Sequence, residues 1–335
     1  MLSKIRKIRN WVFVISLLLL AGVALTIGLT PRPDQIKYGV TFSIKQARDL
    51  ELDWQQVYLA MLDDLKVRDI RLPAYWSEIE GEEGVYDWTN IDWLVDEAGK
   101  RDARIIMAVG GRLPRWPECH FPEWVKPLPT KERQDLTLNY IKATIERYKD
   151  KKNIVAWQVE NEPFLPNFGE CPTFDQDFLD NEISLIRVID KRPVVVTDSG
   201  ELSLWYKAAN RADIFGTSIY RDTYSQALNR YIHYPISPTF FKVKKNLAKF
   251  FASPKKWVVI ELQAEPWCKD SYQLVGQSDR DKSMSPEKFK NMLSFIQTTG
   301  FDEFYLWGVE WWYWEKTKQN RPIFWEMAKE IYVKN

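Results

Sequence analysis

IVAWQVENEP, residues 154–163, is the stretch of this sequence that decides the fold. Its first six residues are mostly apolar and run without alternation, which is typical of a strand buried on both faces. Glu160, Asn161 and Glu162 then follow directly, and Pro163 ends the run. Capping a helix needs one acidic or amide side chain rather than three in a row. This strand end therefore indicates a functional site.

Seven other segments of the same character recur along the chain. Amphipathic segments with helical periodicity separate them, for example residues 54–68 and 131–150. Eight strands, each followed by a helix, predict a (β/α)8 barrel, an α/β fold, as a single domain over residues 37–335. A doubly wound open sheet is the alternative, but it usually has a glycine-rich turn after its first strand, and residues 38–43 contain no such turn. The seven segments are residues 38–42, 69–72, 104–109, 193–197, 213–220, 257–262 and 303–309.

The first 36 residues differ from the rest of the chain. Four basic residues in residues 1–10 precede an apolar run, residues 11–29, that is nearly long enough to span a bilayer. We therefore expect a cytoplasmic basic segment (1–10), a transmembrane anchor (11–30) and a linker (31–36), with the barrel domain outside the cell membrane. The alternative is a signal peptide cleaved near residues 22–24, which would give a secreted protein.

Composition argues against several classes of protein. Lysines and arginines number 47 against 46 acidic residues, and no basic block follows the N-terminus, so nucleic acid is not an expected partner. Two histidines and three cysteines fit no metal motif, so neither a metal nor another cofactor is expected. The pairing of the cysteines stays open; a disulfide between Cys119 and Cys171, which follow neighbouring strands, is one option. The many aromatic residues favour a cleft lined by flat apolar faces.

The carboxyl ends of barrel strands meet at one rim, where the chemistry of such folds resides. Two carboxylates that face each other across this rim can cleave a glycosidic bond, one as general acid and the other as nucleophile. Their proximity raises the pKa of the acid. Charged, amide and aromatic side chains gather at these strand ends: Arg71, Trp76, Trp116, Glu118, His120, Asn161, Glu162, Asp198, Tyr220, Glu261, Glu265, Trp307 and Glu310.

Residues 161–163, Asn-Glu-Pro at the end of a fourth strand, resemble the signature of glycoside hydrolase clan A. This group of retaining (β/α)8 enzymes includes cellulases, xylanases, mannanases and β-galactosidases. The resemblance implies that Glu162 is the acid/base and that Glu261, which ends the seventh strand, is the nucleophile. The reaction would then be a double displacement through a covalent glycosyl-enzyme intermediate. Glu160 and Glu265 are the alternatives for the two roles.

The resemblance also implies the supporting residues of a sugar site. Asn161 and Arg71 would support the two carboxylates, Tyr220 would orient Glu261, and Trp307 would form the floor of the sugar site. The expected partner is an oligo- or polysaccharide. A non-catalytic glycan-binding protein of the cell envelope, built on a barrel scaffold, is the rival prediction. A metal-dependent barrel hydrolase is disfavoured because the chain has two histidines. The remaining candidates for substrate binding are His120, Trp76, Trp116, Asp198 and Glu310.

Overall fold

A computed structural model describes residues 9, 11–17, 22, 33–166 and 168–333. Eight parallel strands form a closed barrel in which each strand pairs with its neighbours in chain order and the eighth pairs with the first. The predicted (β/α)8 barrel is confirmed, and the open sheet is excluded because the barrel closes. The barrel strands, numbered first to eighth below, are Lys37–Thr41, Asp69–Pro73, Arg104–Val109, Ile154–Val159, Val194–Asp198, Ile214–Ile219, Lys256–Gln263 and Glu303–Trp307.

Helices follow the strands and cover the outside of the barrel. Several begin where the sequence offers a cap: the side chains of Asp53, Asp175 and Ser285 each accept a hydrogen bond from the first turn of their helix. From Ile44 onward the helices are Ile44–Asp49, Trp54–Asp63, Trp76–Ile79, Thr89–Gly99, Thr130–Tyr148, Gln176–Ile189, Tyr206–Ala209, Pro238–Ala248, Gln277–Ser283, Pro286–Ile296, Val309–Lys318 and Ile323–Val333.

A β-hairpin outside the barrel was not predicted from the sequence. An antiparallel hairpin, Asp222–Ser225 paired with Arg230–His233, follows the sixth barrel strand. His233 ends this hairpin, and its Nδ1 lies 3.0 Å from Asp222 Oδ1. The structure therefore places this histidine, whose position the sequence did not indicate, on the hairpin.

The barrel interior has an apolar lower part and a polar upper part. Small and β-branched residues around Tyr305 fill the lower part, and a separate, larger apolar core lies between strands and helices. Gly39 leaves room for the Tyr305 ring, because a Cβ at position 39 would lie 2.6 Å from it. Arg71, Gln158 and Glu261 lie in the polar upper part, linked by hydrogen bonds. The apolar interior set is Ile106, Ala156, Val195, Val258, Ile260 and Tyr305.

The seventh strand contains an extra residue relative to both neighbours. Its register shifts between Val259 and Glu261 against the sixth strand, and between Val259 and Leu262 against the eighth. Such a bulge changes which side chains point into a barrel. Ile260 packs in the interior and Leu262 in the outer core, so the bulge turns Glu261 inward although it follows an inward-pointing residue.

The predicted membrane segment, residues 11–30, lies largely outside the described residues. None of the helices in the described part of the chain combines the length and the hydrophobicity needed to cross a membrane.

Candidate active site

Glu162 lies just after the fourth strand and is held by the fifth and sixth strands. Its backbone N–H donates to Thr197 Oγ1 at 2.8 Å, and its Oε1 accepts a 2.7 Å hydrogen bond from Ser218 Oγ. Burial raises the pKa of Glu162 well above its ordinary value, and the neighbouring charge of Glu261 raises it further. Both effects favour the protonated form of Glu162, which is the form that a general acid needs.

Glu261 has different surroundings. Arg71 Nη1 donates to its Oε1 at 2.6 Å, and Tyr220 OH donates to its Oε2 at 3.1 Å. Both oxygens thus accept hydrogen bonds, one of them from a cation, so the carboxyl group is held in a fixed orientation. The site therefore contains one carboxyl suited to give a proton and one suited to attack as a nucleophile.

Arg71 connects the two halves of the site. It is fully buried, and each of the three nitrogens of its guanidinium group donates a hydrogen bond. Nε donates to Gln158 Oε1 at 2.7 Å, Nη1 donates to Glu261, and Nη2 donates to Asn161 Oδ1 at 2.6 Å. This planar set of donors fixes the Asn161 amide and the Glu261 carboxylate relative to each other.

The three polar residues that follow the fourth strand have three different tasks. Glu160 points toward the third loop, where its oxygens accept from the backbone N–H groups of Gly111 and Arg112 at 2.7 and 2.6 Å. Asn161 binds Arg71, and Glu162 binds Ser218. Regular strand alternation would put Glu160 and Glu162 on one face. Left-handed φ angles of 54° and 43° at these two residues separate them instead.

A second buried arginine, Arg115 in the third loop, organises the opposite side of the site. It binds both oxygens of Glu265 and donates from Nη2 to Glu310 Oε2 at 2.9 Å. Glu265 is thus paired with Arg115, as Glu261 is with Arg71. The charge of Glu261 acts on the carboxyl group of Glu162, which favours Glu261 over Glu265 as the nucleophile. The Arg115 guanidinium also lies 4.1 Å from the centre of the Trp307 ring. That face of Trp307 is covered, so a sugar could reach only the small part of the ring that remains exposed.

Two of the residues predicted to contact the substrate, Trp76 and Glu310, are buried within the protein. Trp76 is fully buried, stacks on Tyr140 and donates from Nε1 to Glu80. Glu310 is fully buried as well, and its Oε1 accepts from the backbone N–H of Ser43 at 2.5 Å. Burial and hydrogen bonds within the protein leave neither side chain available to a ligand.

His120 and Asp198, two further candidates for substrate binding, are buried and form hydrogen bonds with backbone groups. His120 Nε2 donates to the Arg115 carbonyl at 3.0 Å, and burial lowers its pKa to about 4, so its ring is neutral and supports the third loop. Asp198 is 1% exposed and accepts from the Ser199 N–H. Its charge reaches Glu162 electrostatically, and burial raises its own pKa to about 6.

Two aromatic side chains remain available at the rim. Trp116 in the third loop is 59% exposed. Trp267 is half-buried and packs edge-on against Tyr220, with ring centres 5.3 Å apart. Their exposed faces suit the apolar C–H faces of a sugar.

Sequence reasoning missed several residues of the site. Gln158 lies two positions before Glu160, and Ser218 lies two positions before Tyr220. Because side chains two positions apart in a strand point to the same face, this spacing could have indicated that both residues face the site. Arg115 had no comparable signal, because it lies in the irregular third loop; Glu118, in the same loop, was named among the polar strand-end residues but had no predicted role. No group of His, Cys, Asp and Glu residues in the described ranges is arranged to hold a metal ion.

Comparisons with known proteins agree with this geometry. A β-galactosidase family model, glycosyl hydrolase family 42, matches residues 51–180. The β-galactosidase BgaA of Clostridium cellulovorans is 24% identical over 191 residues, 51% of this chain and 29% of that protein. The β-galactosidase LacZ of Lactobacillus acidophilus is 26% identical over 105 residues, 26% of this chain and 16% of that protein. The resemblance to glycoside hydrolase clan A is confirmed.

Solved structures of glycoside hydrolases share the barrel of this chain. The cold-adapted β-galactosidase of Rahnella sp. R3 has a TM-score of 0.60 at 12% identity, over 91% of this chain and 56% of that one. An endo-β-1,4-xylanase of Gloeophyllum trabeum has a TM-score of 0.55 at 16% identity, over 84% and 86% of the two chains. At these identities the likeness shows the fold alone. The chain spans less than a third of the curated relatives that it matches.

Proposed function

We propose that this protein is a retaining β-glycoside hydrolase that acts by double displacement. The observation that carries the proposal is the contrast between Glu162 and Glu261. Both are buried at one end of the barrel, close enough for the charge of Glu261 to raise the pKa of Glu162. Arg71 binds Glu261, whereas Glu162 accepts from the neutral Ser218 hydroxyl. Carboxyl groups held in such contrasting surroundings divide into acid and nucleophile.

The first step would use both residues at once. Glu261 would attack the anomeric carbon and form a covalent ester, while Glu162 would transfer its proton to the leaving glycosidic oxygen. Esterification removes the negative charge of Glu261, so Glu162 no longer faces a like charge and can act as base on a water molecule. The attack of that water would release the sugar with its original anomeric configuration.

β-Galactosides are the first substrates to test, because the family model and both curated relatives are β-galactosidases. A panel of aryl β-glycosides and β-linked polysaccharides would give the sugar and the linkage. A 2-fluoro glycoside of the best sugar should inactivate the protein and leave its label on Glu261. Inversion at the anomeric carbon, or a label on Glu265, would refute this mechanism. No hydrolysis of any member of the panel would favour the glycan-binding rival.

We also propose that the barrel is exported and anchored at the cell membrane through residues 11–30, with the catalytic domain outside. A disulfide between Cys119 and Cys171 supports export, because structural disulfides persist in oxidising compartments. The first strand begins at Lys37, at the barrel end opposite the site, so an anchor there would leave the site facing away from the membrane. The full-length protein should sediment with membranes, and deletion of residues 1–33 should release it. Full-length protein in the cytosolic fraction would contradict the proposal.

A further inference from the structure

Glu118, in the third loop, is a third carboxyl group within the site. It is 6% exposed, and its Oε2 accepts a hydrogen bond from Asn161 Nδ2 at 3.0 Å. The other end of the same amide accepts from Arg71, which binds Glu261. The Asn161 amide therefore joins Glu118 to the proposed nucleophile through one continuous set of hydrogen bonds.

The backbone around Glu118 is fixed on every side. Its N–H donates to the Arg115 carbonyl at 2.8 Å, and its own carbonyl accepts from the Leu113 N–H at 2.7 Å. Its Cβ packs against Gly169 of the fourth loop, where φ is +81° and an added Cβ would lie 2.5 Å away. The next residue, Cys119, is tied to that loop by the disulfide. A side chain held so firmly is suited to precise contact with a ligand.

The charges around Glu118, together with its burial, affect whether its carboxyl group is protonated. Three carboxyl groups, Glu118, Glu162 and Glu261, share this end of the barrel, and the Arg71 guanidinium binds only Glu261 among them. The two terminal nitrogens of Arg112 donate to backbone carbonyls of the fourth loop, and the charge of Arg112 only partly offsets the effect of burial on Glu118. Burial, and then the charge of Glu261, raise the pKa of Glu118 to about 8. Glu118 therefore keeps its proton at neutral pH.

The position of that proton follows from the hydrogen bond to Asn161. Oε2 already accepts from Nδ2, so the proton belongs on Oε1. Oε1 forms no hydrogen bond with any residue that the structure describes. A neutral carboxyl group with a free O–H thus lies beside the Asn161 amide, which Arg71 links to the proposed nucleophile.

We propose that Glu118 binds the substrate as a neutral acid, donating a hydrogen bond from Oε1 to a hydroxyl group of the sugar held next to Asn161. This inference rests on the proposed glycosidase function and adds a residue that determines which hydroxyl groups the site recognises. A neutral donor can bind a hydroxyl group without adding a second charge beside the nucleophile.

Deoxy substrates test the contact directly. Aryl glycosides of the preferred sugar that lack one hydroxyl group at a time would be assayed with the wild type and with Glu118→Ala. Removing the hydroxyl group that Glu118 contacts should lower kcat/KM in both proteins, but roughly 3- to 10-fold more in the wild type than in the variant. This extra factor corresponds to the free energy of one hydrogen bond. The other deoxy substrates should lose equal factors with both proteins. Equal losses for every hydroxyl group would overturn the proposal.

Infrared difference spectra give a second test that needs no turnover. At neutral pH, the difference between wild type and Glu118→Gln should contain the C=O band of a protonated carboxyl group. Glu170→Gln, at an exposed position in the adjoining loop, is the matched control and should lack that band. A carboxylate band at Glu118 would refute the proposal even for an active enzyme. An inactive protein that shows the protonated band would count against the glycosidase function alone.

Discussion

Arg71 Nη1 lies 2.6 Å from Glu261 Oε1 in the interior of the barrel, and this contact depends on the bulge in the seventh strand. Without the extra residue, Glu261 would point outward, because Ile260 already points inward. The bulge thus places a carboxylate against a buried arginine at the end of a rigid strand. Removing one partner of such a buried pair leaves an uncompensated charge, at a cost of about 3–5 kcal/mol.

Replacing Glu261 with Gln should abolish turnover of every glycoside, by at least about 10⁴-fold, because an amide cannot form the covalent intermediate. Glu265→Gln should keep the reaction and weaken only the pair with Arg115, lowering the free energy of unfolding by about 1–3 kcal/mol. Single-turnover kinetics and urea denaturation measure the two effects. Comparable activity in the two variants would contradict the assignment.

Ser218→Ala should raise the pH at which activity is lost on the alkaline side. The Ser218 hydroxyl donates to Glu162 and lowers its pKa, so removing it raises the pKa of Glu162 further. Because the acid acts while protonated, activity should persist about half to one pH unit higher. The measurement is the pH profile of kcat/KM on a substrate with a poor leaving group. Ser294→Ala, on an outer helix, should leave the profile unchanged; a downward shift in Ser218→Ala would be incompatible with Glu162 as the acid.

Removal of the disulfide, by Cys119→Ser with Cys171→Ser, should lower both stability and activity. The bridge joins cysteines 52 residues apart, and a crosslink of that span contributes about 2–4 kcal/mol. It also holds the loop that carries Arg115 and Glu118, so kcat should fall more than KM rises. Thermal unfolding and steady-state kinetics would be compared with those of Cys268→Ser, which removes the free thiol. Full activity without the disulfide would show that the third loop keeps its conformation without this crosslink.

Trp116 and Trp76 should respond in opposite ways to substitution. Trp116→Ala should leave stability nearly unchanged, because the ring is 59% exposed, and should raise KM for extended substrates. Trp76→Ala should lower the free energy of unfolding by about 3–5 kcal/mol, the usual cost of removing a buried tryptophan. Denaturation midpoints together with KM for short and long substrates would separate the two roles. An unchanged KM in Trp116→Ala would remove that ring from the sugar site.

The fold was predictable from the sequence because its signals are local. Continuous apolar runs mark strands buried on both faces, and amphipathic segments mark the covering helices. All eight predicted strands lie within three residues of the observed bounds. Glu162 and Glu261 were visible for the same reason, since each follows directly from a recognisable strand. The sequence by itself thus determined the barrel and which strand ends carry carboxylates.

Only the tertiary structure decided how those side chains are used. The inward turn of Glu261 comes from a register shift against two neighbouring strands, which no local pattern encodes. The roles of Arg115 and Glu118 depend on how the third loop folds over the rim, and irregular loops have no periodicity to read. Trp76 and Glu310 looked like rim residues from their positions in the chain, yet packing buried both. Burial and partner choice depend on residues distant in sequence, and for this reason the three-dimensional fold had to decide them.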